Sequence, residues 1–357
     1  MRTPFLLMDE DMVVSRYQEF TEVFKEAQVF YSLKANPDGN IISLLNRLGL
    51  GFEVSSEGEL DLFIERGIPP QRIISSNPVK SPSFIQRAKE YGMDRFAFDS
   101  EEELSKLSSL APRSRVYVRL EVDNTGSEWP LTRKFGTPPE RASLLLRRAR
   151  EKELIPYGIT FHVGSQCVNI LAFRKAILKA REVLGEFKGQ GPFMLNLGGG
   201  FPITYRDPVP SISQIAREIK DLIPEGVELA VEPGRALVGE AGIMVASVLG
   251  SRIKDGERWL YLDVGVFNGL LESIGGIRYP LFSSKEGERG KWIVAGPSCD
   301  SMDTIGEAEL PFLEVGDKVH IGSAGAYTIS YASHFNGFPP PKVYLRKGPI
   351  KGNLDLE

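Results

Sequence analysis

Short apolar runs alternate with longer amphipathic stretches between residues 28 and 232. The apolar runs are rich in β-branched and aromatic residues and predict eight β-strands, over residues 29–34, 51–54, 72–75, 95–98, 116–121, 157–162, 193–197 and 228–232. The amphipathic stretches have apolar residues at helical spacing and predict helices such as 56–66, 82–91, 100–108, 139–151, 172–187 and 211–222. Eight βα units predict an α/β fold with a TIM-type (β/α)8 barrel.

The pattern changes after Arg235, where β-branched runs follow one another without intervening helices. Strands are predicted over residues 243–248, 259–264, 291–294 and 318–321. Residues 5–8 are also strand-like and are expected to join this second sheet. We therefore predict an α/β barrel over residues 10–240 and a C-terminal β-rich domain over residues 241–357 that includes residues 1–9.

Composition narrows the class of protein. The 357 residues are 42% hydrophobic and 25% charged, which is ordinary for a soluble globular protein. The net charge of −4 gives no broad basic field, so a small molecule is a better candidate partner than nucleic acid. Neither a signal peptide nor a membrane-spanning run is visible, and we expect a cytoplasmic protein with no membrane partner. Cys167 and Cys299 have no closely spaced Cys or His neighbours, so neither a disulfide nor a metal site is expected.

Residues whose side chains are suited to catalysis or ligand binding follow several of the predicted strands. TIM-type barrels place their active sites at the C-terminal ends of the strands, where this sequence has Lys34, His162, a glycine triplet at 198–200, and Glu232 with Arg235. A lysine at the mouth of an apolar barrel can be desolvated, which lowers its pKa and favours Schiff-base formation. The alternative for Lys34 is an ordinary lysine whose ammonium reaches solvent from a strand end.

A phosphate site is the hypothesis for the last two strands. The glycines at 198–200 leave backbone amides open to a phosphate, although a simple tight turn would also use them. Arg235 can hold a phosphate and Glu232 can keep a ring nitrogen protonated, whereas the simpler alternative is a local ion pair. Lysine, phosphate cradle and carboxylate together are what pyridoxal phosphate needs.

Two other segments carry candidate groups. In FHVGS (161–165), His162 could stack on a planar cofactor and Ser165 could donate to a phosphate. In GPSCDSMD (296–303), Cys299 could donate a proton to a carbanion, although a free cysteine is more often an inert buried residue. Cys167 keeps that inert interpretation.

Seven segments together resemble the ornithine decarboxylase group of pyridoxal-phosphate enzymes, which have the alanine-racemase-like fold. They occur in that family's order and cover nearly the whole chain: YSLKAN (31–36), FHVGS (161–165), GGGFP (198–202), EPGR (232–235), GPSCDSMD (296–303), GAYT (325–328) and FNGF (335–338). The resemblance implies that Lys34 binds the cofactor as a Schiff base, that Glu232 faces the pyridine nitrogen and that His162 stacks on the ring. The residues implied to hold the phosphate are Ser165, Gly199, Gly200, Gly234, Arg235 and Tyr327. Glu53 falls where related enzymes have an aspartate beside the cofactor lysine.

The resemblance also implies a head-to-tail homodimer with two composite sites. Each site would take Cys299 and Asp300 from the partner subunit. Asp300 would meet the distal amine of an amino-acid substrate, while Cys299 would protonate the substrate carbon after carbon dioxide leaves. The implied reaction is decarboxylation of a basic amino acid, with ornithine to putrescine, in polyamine biosynthesis, as the first expectation.

Departures from the family leave the substrate open. In FNGLLESI (267–274), Ser273 stands near the place of the usual ornithine-type aspartate, and the adjacent Glu272 could bind the distal ammonium directly or through water. Tyr327 is a further candidate substrate contact. Pro130 replaces an arginine of related enzymes, and Arg133 and Lys134 are the candidates to compensate for it. Lysine, or both lysine and ornithine, is therefore the main alternative substrate.

Other members of the wider group fit less well. Diaminopimelate decarboxylases usually have Cys-Glu where this chain has Cys299-Asp300, and arginine and carboxynorspermidine decarboxylases are further alternatives. A racemase of the same fold would usually place an arginine where Glu232 stands. Antizyme inhibitors resemble the decarboxylases but act by binding a regulatory protein, and the presence of Lys34, Glu232, Arg235 and Cys299 argues against that loss of catalysis.

Overall fold

The computed structural model describes residues 1–131, 133–187 and 193–348. Residues 349–357, the end of the predicted second domain, lie outside the described residues. The strands are β1 (Phe5–Asp9), β2 (Gln28–Ser32), β3 (Gly51–Glu53), β4 (Ile73–Ile74), β5 (Arg95–Phe98), β6 (Arg115–Arg119), β7 (Ser127–Trp129), β8 (Ile155–Thr160), β9 (Ser165–Cys167), β10 (Phe193–Asn196), β11 (Val227–Val231), β12 (Gly242–Lys254), β13 (Glu257–Leu262), β14 (Leu281–Phe282), β15 (Arg289–Ala295), β16 (Thr304–Pro311), β17 (Lys318–Ile321) and β18 (Lys342–Arg346).

The α-helices are α1 (Glu10–Val23), α2 (Gly39–Arg47), α3 (Glu57–Glu65), α4 (Pro82–Tyr91), α5 (Glu101–Leu110), α6 (Pro139–Glu151), α7 (Ile170–Phe187), α8 (Ile212–Ile219) and α9 (Arg235–Val238). Short 3₁₀ turns cover Leu33–Ala35, Pro70–Arg72, Lys220–Leu222, Leu271–Ser273 and Phe335–Gly337. Several helices begin at a serine whose side chain accepts a hydrogen bond from the first turn, as Ser56, Ser81 and Ser100 do. Ser211 and Gln214 form a reciprocal capping box at the start of α8.

Eight parallel strands form the barrel, in the order β4-β3-β2-β11-β10-β8-β6-β5. A parallel bridge between Ser75 and Phe96 joins the two ends of this order. The barrel strands correspond to the eight predicted strands, so the predicted TIM-type barrel is confirmed. The apolar runs were recognisable because parallel barrel strands are covered on both faces.

The second sheet contains the strands that follow the barrel, in the order β14-β17-β12-β13-β15-β16. Strand β1 from the N-terminus pairs antiparallel with β12 and parallel with β18. This arrangement brings residues 5–9 into the β-rich part of the fold. Among the described residues, none of the helices combines the length and the apolar composition that a bilayer-spanning segment requires.

Candidate active site

Lys34 lies in a 3₁₀ turn directly after β2, at the C-terminal end of the barrel. Its side chain is 46% exposed and borders a cavity of about 430 Å³. Its Nζ lies 3.4 Å from Glu53 Oε2, and this carboxylate raises the pKa of Lys34 against the smaller, opposing effect of partial desolvation in the cavity. The prediction of a lowered pKa for Lys34 is therefore wrong for the free amine. Attraction to the Glu53 carboxylate outweighs the desolvation of the ammonium.

Glu53 belongs to a small acidic cluster beside the lysine. Ser55 Oγ donates to Glu53 Oε1 at 3.1 Å, while the Ser55 backbone N–H donates to Glu59 Oε2 at 2.7 Å. Burial, together with repulsion from Glu53, raises the pKa of Glu59 to about 7. The Ser55 hydroxyl therefore helps to hold Glu53 next to Lys34, and the role of Glu53 beside a cofactor stays a prediction.

Glu232 directly follows β11 and is buried, and it borders the same cavity. Its Oε1 accepts hydrogen bonds from Ser76 Oγ and Asn196 Nδ2. Burial raises the pKa of Glu232 to about 7, and the negative charge of Glu53 adds to the rise. A positively charged group facing this carboxylate would favour its ionised form.

His162 follows β8 and has a defined hydrogen-bonding state. Burial, with repulsion from Arg119 and Lys34, lowers the pKa of His162 well below its usual value. Its Nδ1 accepts from the Gly164 N–H at 3.0 Å, so the neutral ring carries its proton on Nε2. A neutral, partly buried imidazole on the cavity wall suits stacking on a planar group.

A narrower cavity adjoins the first and is bordered by Gly199, Gly200, Gly234, Arg235 and Ser165. Lys34, His162, Glu232 and Tyr327 border both spaces. Gly200 has a φ of +95°, and a Cβ there would collide with the Gly164 carbonyl oxygen. A Cβ on Gly199 would lie 2.8 Å from the Glu232 carbonyl oxygen. Only glycine lets the backbone approach so closely, as a cradle for a phosphate requires.

Tyr327 closes this region from the second part of the chain. Its backbone N–H donates to the Ala35 carbonyl at 2.7 Å, directly after Lys34. Its φ of 57° is left-handed, a conformation that is uncommon for a residue with a side chain and that clusters at functional sites. The Arg235 guanidinium carbon lies 4.7 Å from the centre of the Tyr327 ring.

The hydrogen bonds of Arg235 indicate whether the narrow cavity can accept an anion. Its Nη1 donates to Tyr205 Oη at 2.5 Å and to Glu272 Oε2 at 2.7 Å, and its Nη2 donates to Ser165 Oγ at 3.0 Å and to Glu272 Oε1 at 2.6 Å. The fifth donor, Nε, is buried and has no acceptor among the described residues. Because a buried unpaired donor is costly, a phosphate oxygen is the kind of acceptor this cavity lacks. The glycines and this arginine therefore fit a phosphorylated cofactor.

The structure separates the two residues that we considered for the distal end of a substrate. Glu272 borders the large cavity, but its two oxygens are bound by Arg235. Ser273 is not among the residues lining that cavity and instead borders a second cavity of about 360 Å³ with Arg206 and Tyr279. Its buried Oγ has no hydrogen-bond partner within the described chain. The sequence-based placement of Ser273 at the substrate is therefore not supported, because its 3₁₀ turn directs it elsewhere.

One wall of the large cavity comes from the segment that follows β7 and contains Pro130, Arg133 and Lys134. The Trp129 ring packs against Gly275, where a Cβ would collide with it. Strand β7 is held by antiparallel pairing with β9, so this wall is tied to the segment that carries Ser165. Thr132 lies outside the described residues.

Cys299 and Asp300 do not line the Lys34 cavity of their own chain. Both are exposed. Cys299 Sγ lies 3.8 Å from Asn336 Oδ1, and the neighbouring Phe335 ring packs against Phe267 at 4.7 Å. These residues thus form an exposed surface, and their catalytic role stays a prediction that requires a partner subunit.

The residues of the site that were not recognised from the sequence include Arg119, Ser76, Asn196 and Tyr117. Arg119 ends β6 and borders the large cavity, where burial lowers its pKa. Asn196 ends β10 and Ser76 follows β4. A polar residue at the C-terminal end of an apolar barrel strand was the available signal for these three.

This chain is similar to known proteins along nearly its whole length. Residues 10–239 match the family model described as pyridoxal-dependent decarboxylase, pyridoxal binding domain. The lysine/ornithine decarboxylase of Selenomonas ruminantium is 36% identical over 347 residues, which cover 94% of this chain and 88% of that protein. The ornithine decarboxylase of Caenorhabditis elegans is 32% identical over 361 residues, with 94% and 86% covered. The structure of a Vibrio vulnificus lysine/ornithine decarboxylase complexed with cadaverine has a TM-score of 0.89 at 32% identity and covers 96% of this chain and 94% of that one.

Proposed function

The chain belongs to the family of pyridoxal-dependent decarboxylases, and from that premise we propose that it decarboxylates L-ornithine to putrescine and carbon dioxide. It is a carboxy-lyase whose cofactor is pyridoxal 5′-phosphate. The observation that carries the proposal is the meeting of Lys34, the Glu232 carboxylate and the cradle around Arg235 at one cavity. Putrescine is a diamine, so the reaction would belong to polyamine biosynthesis.

Different residues of the site would hold different parts of the cofactor. The backbone at Gly199, Gly200 and Gly234 would surround the phosphate, with Arg235 Nε as a charged donor. Glu232 would hold the proton of the ring nitrogen, and neutral His162 would cover one face of the ring. When bound, pyridoxal phosphate supplies a carbonyl that condenses with amines and a ring that accepts the electron pair released with carbon dioxide.

Lys34 and Glu53 would handle the proton at the anchoring amine. Lys34 Nζ must lose a proton before it can attack a carbonyl, and Glu53 Oε2 at 3.4 Å is the nearest acceptor. Glu53 would also stabilise the ammonium form of Lys34 whenever this amine is free. A carboxylate at position 232 would favour a protonated ring, and a ring in that state would support decarboxylation over racemisation.

The distal ammonium of the substrate needs an anionic partner. The carboxylates among the described lining residues of the large cavity are Glu53, Glu232 and Glu272. Each already has a partner: Lys34 for Glu53, Ser76 and Asn196 for Glu232, and Arg235 for Glu272. A carboxylate from a second subunit would therefore complete the site. We infer a homodimer in which Asp300 of the partner subunit meets the distal ammonium and the partner's Cys299 protonates the substrate carbon.

Lysine is the second candidate substrate. No aspartate is found among the described residues that line the large cavity, and the related enzymes named above include two lysine/ornithine decarboxylases. A site without that fixed carboxylate sets the length of the substrate less strictly. The two candidates differ by one methylene, which hydrophobic contacts alone discriminate by only about 10- to 200-fold.

The test is carbon dioxide release by the cofactor-loaded protein from ornithine, lysine, arginine and diaminopimelate, each measured in parallel. We expect release from ornithine, a weaker or comparable release from lysine, and loss of both in Lys34→Ala. Absorbance of the bound cofactor is recorded in the same samples. Cofactor binding without release from any of the four substrates would overturn the proposal, and failure to bind cofactor at all would favour a binding protein resembling antizyme inhibitors.

A further inference from the structure

The two oxygens of the Glu232 carboxylate have different surroundings. Oε1 accepts hydrogen bonds from both Ser76 Oγ and Asn196 Nδ2. Oε2 receives none from the residues that the structure describes, and Glu232 borders both the large cavity and the narrow one. The protein thus binds one oxygen firmly and leaves the other for whatever occupies the cavity.

Ser76 is in turn held by a second hydroxyl. Its Oγ lies 2.8 Å from Tyr117 Oη. Because a carboxylate can only accept, the one hydroxyl hydrogen of Ser76 points to Glu232, so Tyr117 donates to Ser76. The result is a directed chain of donors from Tyr117 through Ser76 to Glu232.

Glu232 and the three side chains that hold it are shielded from water. Tyr117 and Asn196 are 0% exposed, Glu232 is 4% exposed and Ser76 is 9% exposed. Hydrogen bonds in such an environment are electrostatically stronger than in water, and consecutive donors polarise one another. Donation to a carboxylate stabilises its charged form, which opposes the cost of burying it.

We propose that Tyr117, Ser76 and Asn196 are positioning residues that fix Glu232 through Oε1, so that Oε2 faces the ring nitrogen of the cofactor and remains anionic. The inference rests on the proposed function, because it takes the ring nitrogen to lie beside Glu232. Without these donors, the shared proton moves from the ring nitrogen towards the carboxylate. The ring then accepts electrons less readily and decarboxylation slows.

The alternative is that these hydroxyls only fill space between barrel strands. Ser75 offers a matched control, because it is the neighbouring serine, is 0% exposed and has a buried Oγ without a hydrogen-bond partner among the described residues. Ser75→Ala therefore removes a buried hydroxyl of the same kind without touching the chain of donors.

The test uses holoenzyme loaded with pyridoxal phosphate that carries nitrogen-15 in its ring, because the nitrogen chemical shift reports ring protonation directly. We expect the resonance to move towards that of an unprotonated ring in Ser76→Ala, less so in Tyr117→Phe, and to stay in place in Ser75→Ala and Ser76→Thr. Loss of a hydrogen bond to the Glu232 carboxylate should change the proton affinity of that carboxylate by roughly tenfold. A roughly tenfold fall in kcat with KM changed by less than about twofold should accompany it in Ser76→Ala.

An unchanged nitrogen resonance in Ser76→Ala and Tyr117→Phe would overturn the proposal, whatever happens to the rate. Tyr117→Phe retains the packed ring and so keeps the test decisive if Ser76→Ala does not fold. The proposed function can fail separately. A wild-type holoenzyme that releases no carbon dioxide, but whose ring protonation depends on Ser76, would refute the decarboxylase assignment and leave the role of Ser76 standing.

Discussion

Replacing Glu272 by alanine should destabilise the cofactor-free protein strongly. Glu272 makes a two-pronged ion pair with Arg235, at 2.6 and 2.7 Å, and both side chains are only 3% exposed. The variant leaves a buried guanidinium without its carboxylate. Removal of one member of a buried pair typically costs about 3–5 kcal/mol, so we expect a loss of that size in the free energy of unfolding.

The assay is urea unfolding of wild-type and variant protein at one fixed protein concentration, because subunit association contributes to apparent stability. Glu307→Ala is the control, since Glu307 also forms an ion pair, with Lys291 at 2.8 Å, but the two side chains are 58% and 72% exposed. Exposed pairs contribute about 0–1 kcal/mol. The two variants therefore separate the effect of burial from the loss of a glutamate.

Cofactor should reduce the defect in Glu272→Ala, because its phosphate gives Arg235 another anionic partner. We expect pyridoxal phosphate to stabilise this variant more than it stabilises wild type, whereas pyridoxal without the phosphate should not. A cofactor-free loss below about 1 kcal/mol, as small as that of Glu307→Ala, would refute the reasoning. A higher KM for ornithine with unchanged stability would instead support the contact between Glu272 and the substrate that the sequence suggested.

Three further outcomes are expected. Mixing equal amounts of Lys34→Ala and Cys299→Ala should restore about a quarter of wild-type activity. Half of the dimers then contain one subunit of each variant, and each such dimer has one intact composite site out of two. No recovery of activity after subunit exchange would contradict shared sites. The pKa of Glu59 in the folded protein is raised to about 7, so its stabilising contribution is complete below pH 4.5 and is lost as the pH rises through 7. Between these two values, Glu59→Gln should reduce the dependence of the free energy of unfolding on pH by up to about 1.4 kcal/mol per pH unit. The measurement is urea unfolding of the cofactor-free protein. Gly275→Ala should raise KM by forcing Trp129 into the cavity, and adding Trp129→Ala should relieve the clash; equal KM values in both variants would contradict this.

The barrel was predictable because its strands are apolar on both faces and the helices between them have regular spacing. Lys34 shows the limit of that approach. The apolar run continues through it, so the sequence predicted a strand end, whereas the chain turns into a 3₁₀ segment held by the Tyr327 N–H on the Ala35 carbonyl. A contact between residues so distant in sequence cannot be read from local periodicity.

The candidate site was predictable where several residue types coincided in one segment, as with Glu232 and Arg235. Single polar residues such as Ser76 and Asn196 gave weaker signals, and only closure of the barrel brings them to a glutamate that is 156 and 36 positions away. Glu272 and Ser273 are neighbours whose side chains border different cavities, which depends on how a short turn is packed. Sequence position alone could not separate these two roles.

The most direct measurement is reduction of the cofactor-loaded protein with borohydride, followed by mass spectrometry of its peptides. Reduction fixes the bond between cofactor and lysine. The structure predicts that the phosphopyridoxyl group is found on Lys34, and that prior incubation with excess ornithine lowers the yield, because the substrate amine displaces the lysine. A label on any other lysine, or a yield on Lys34 that ornithine leaves unchanged, would contradict the assignment of this cavity as the decarboxylase active site.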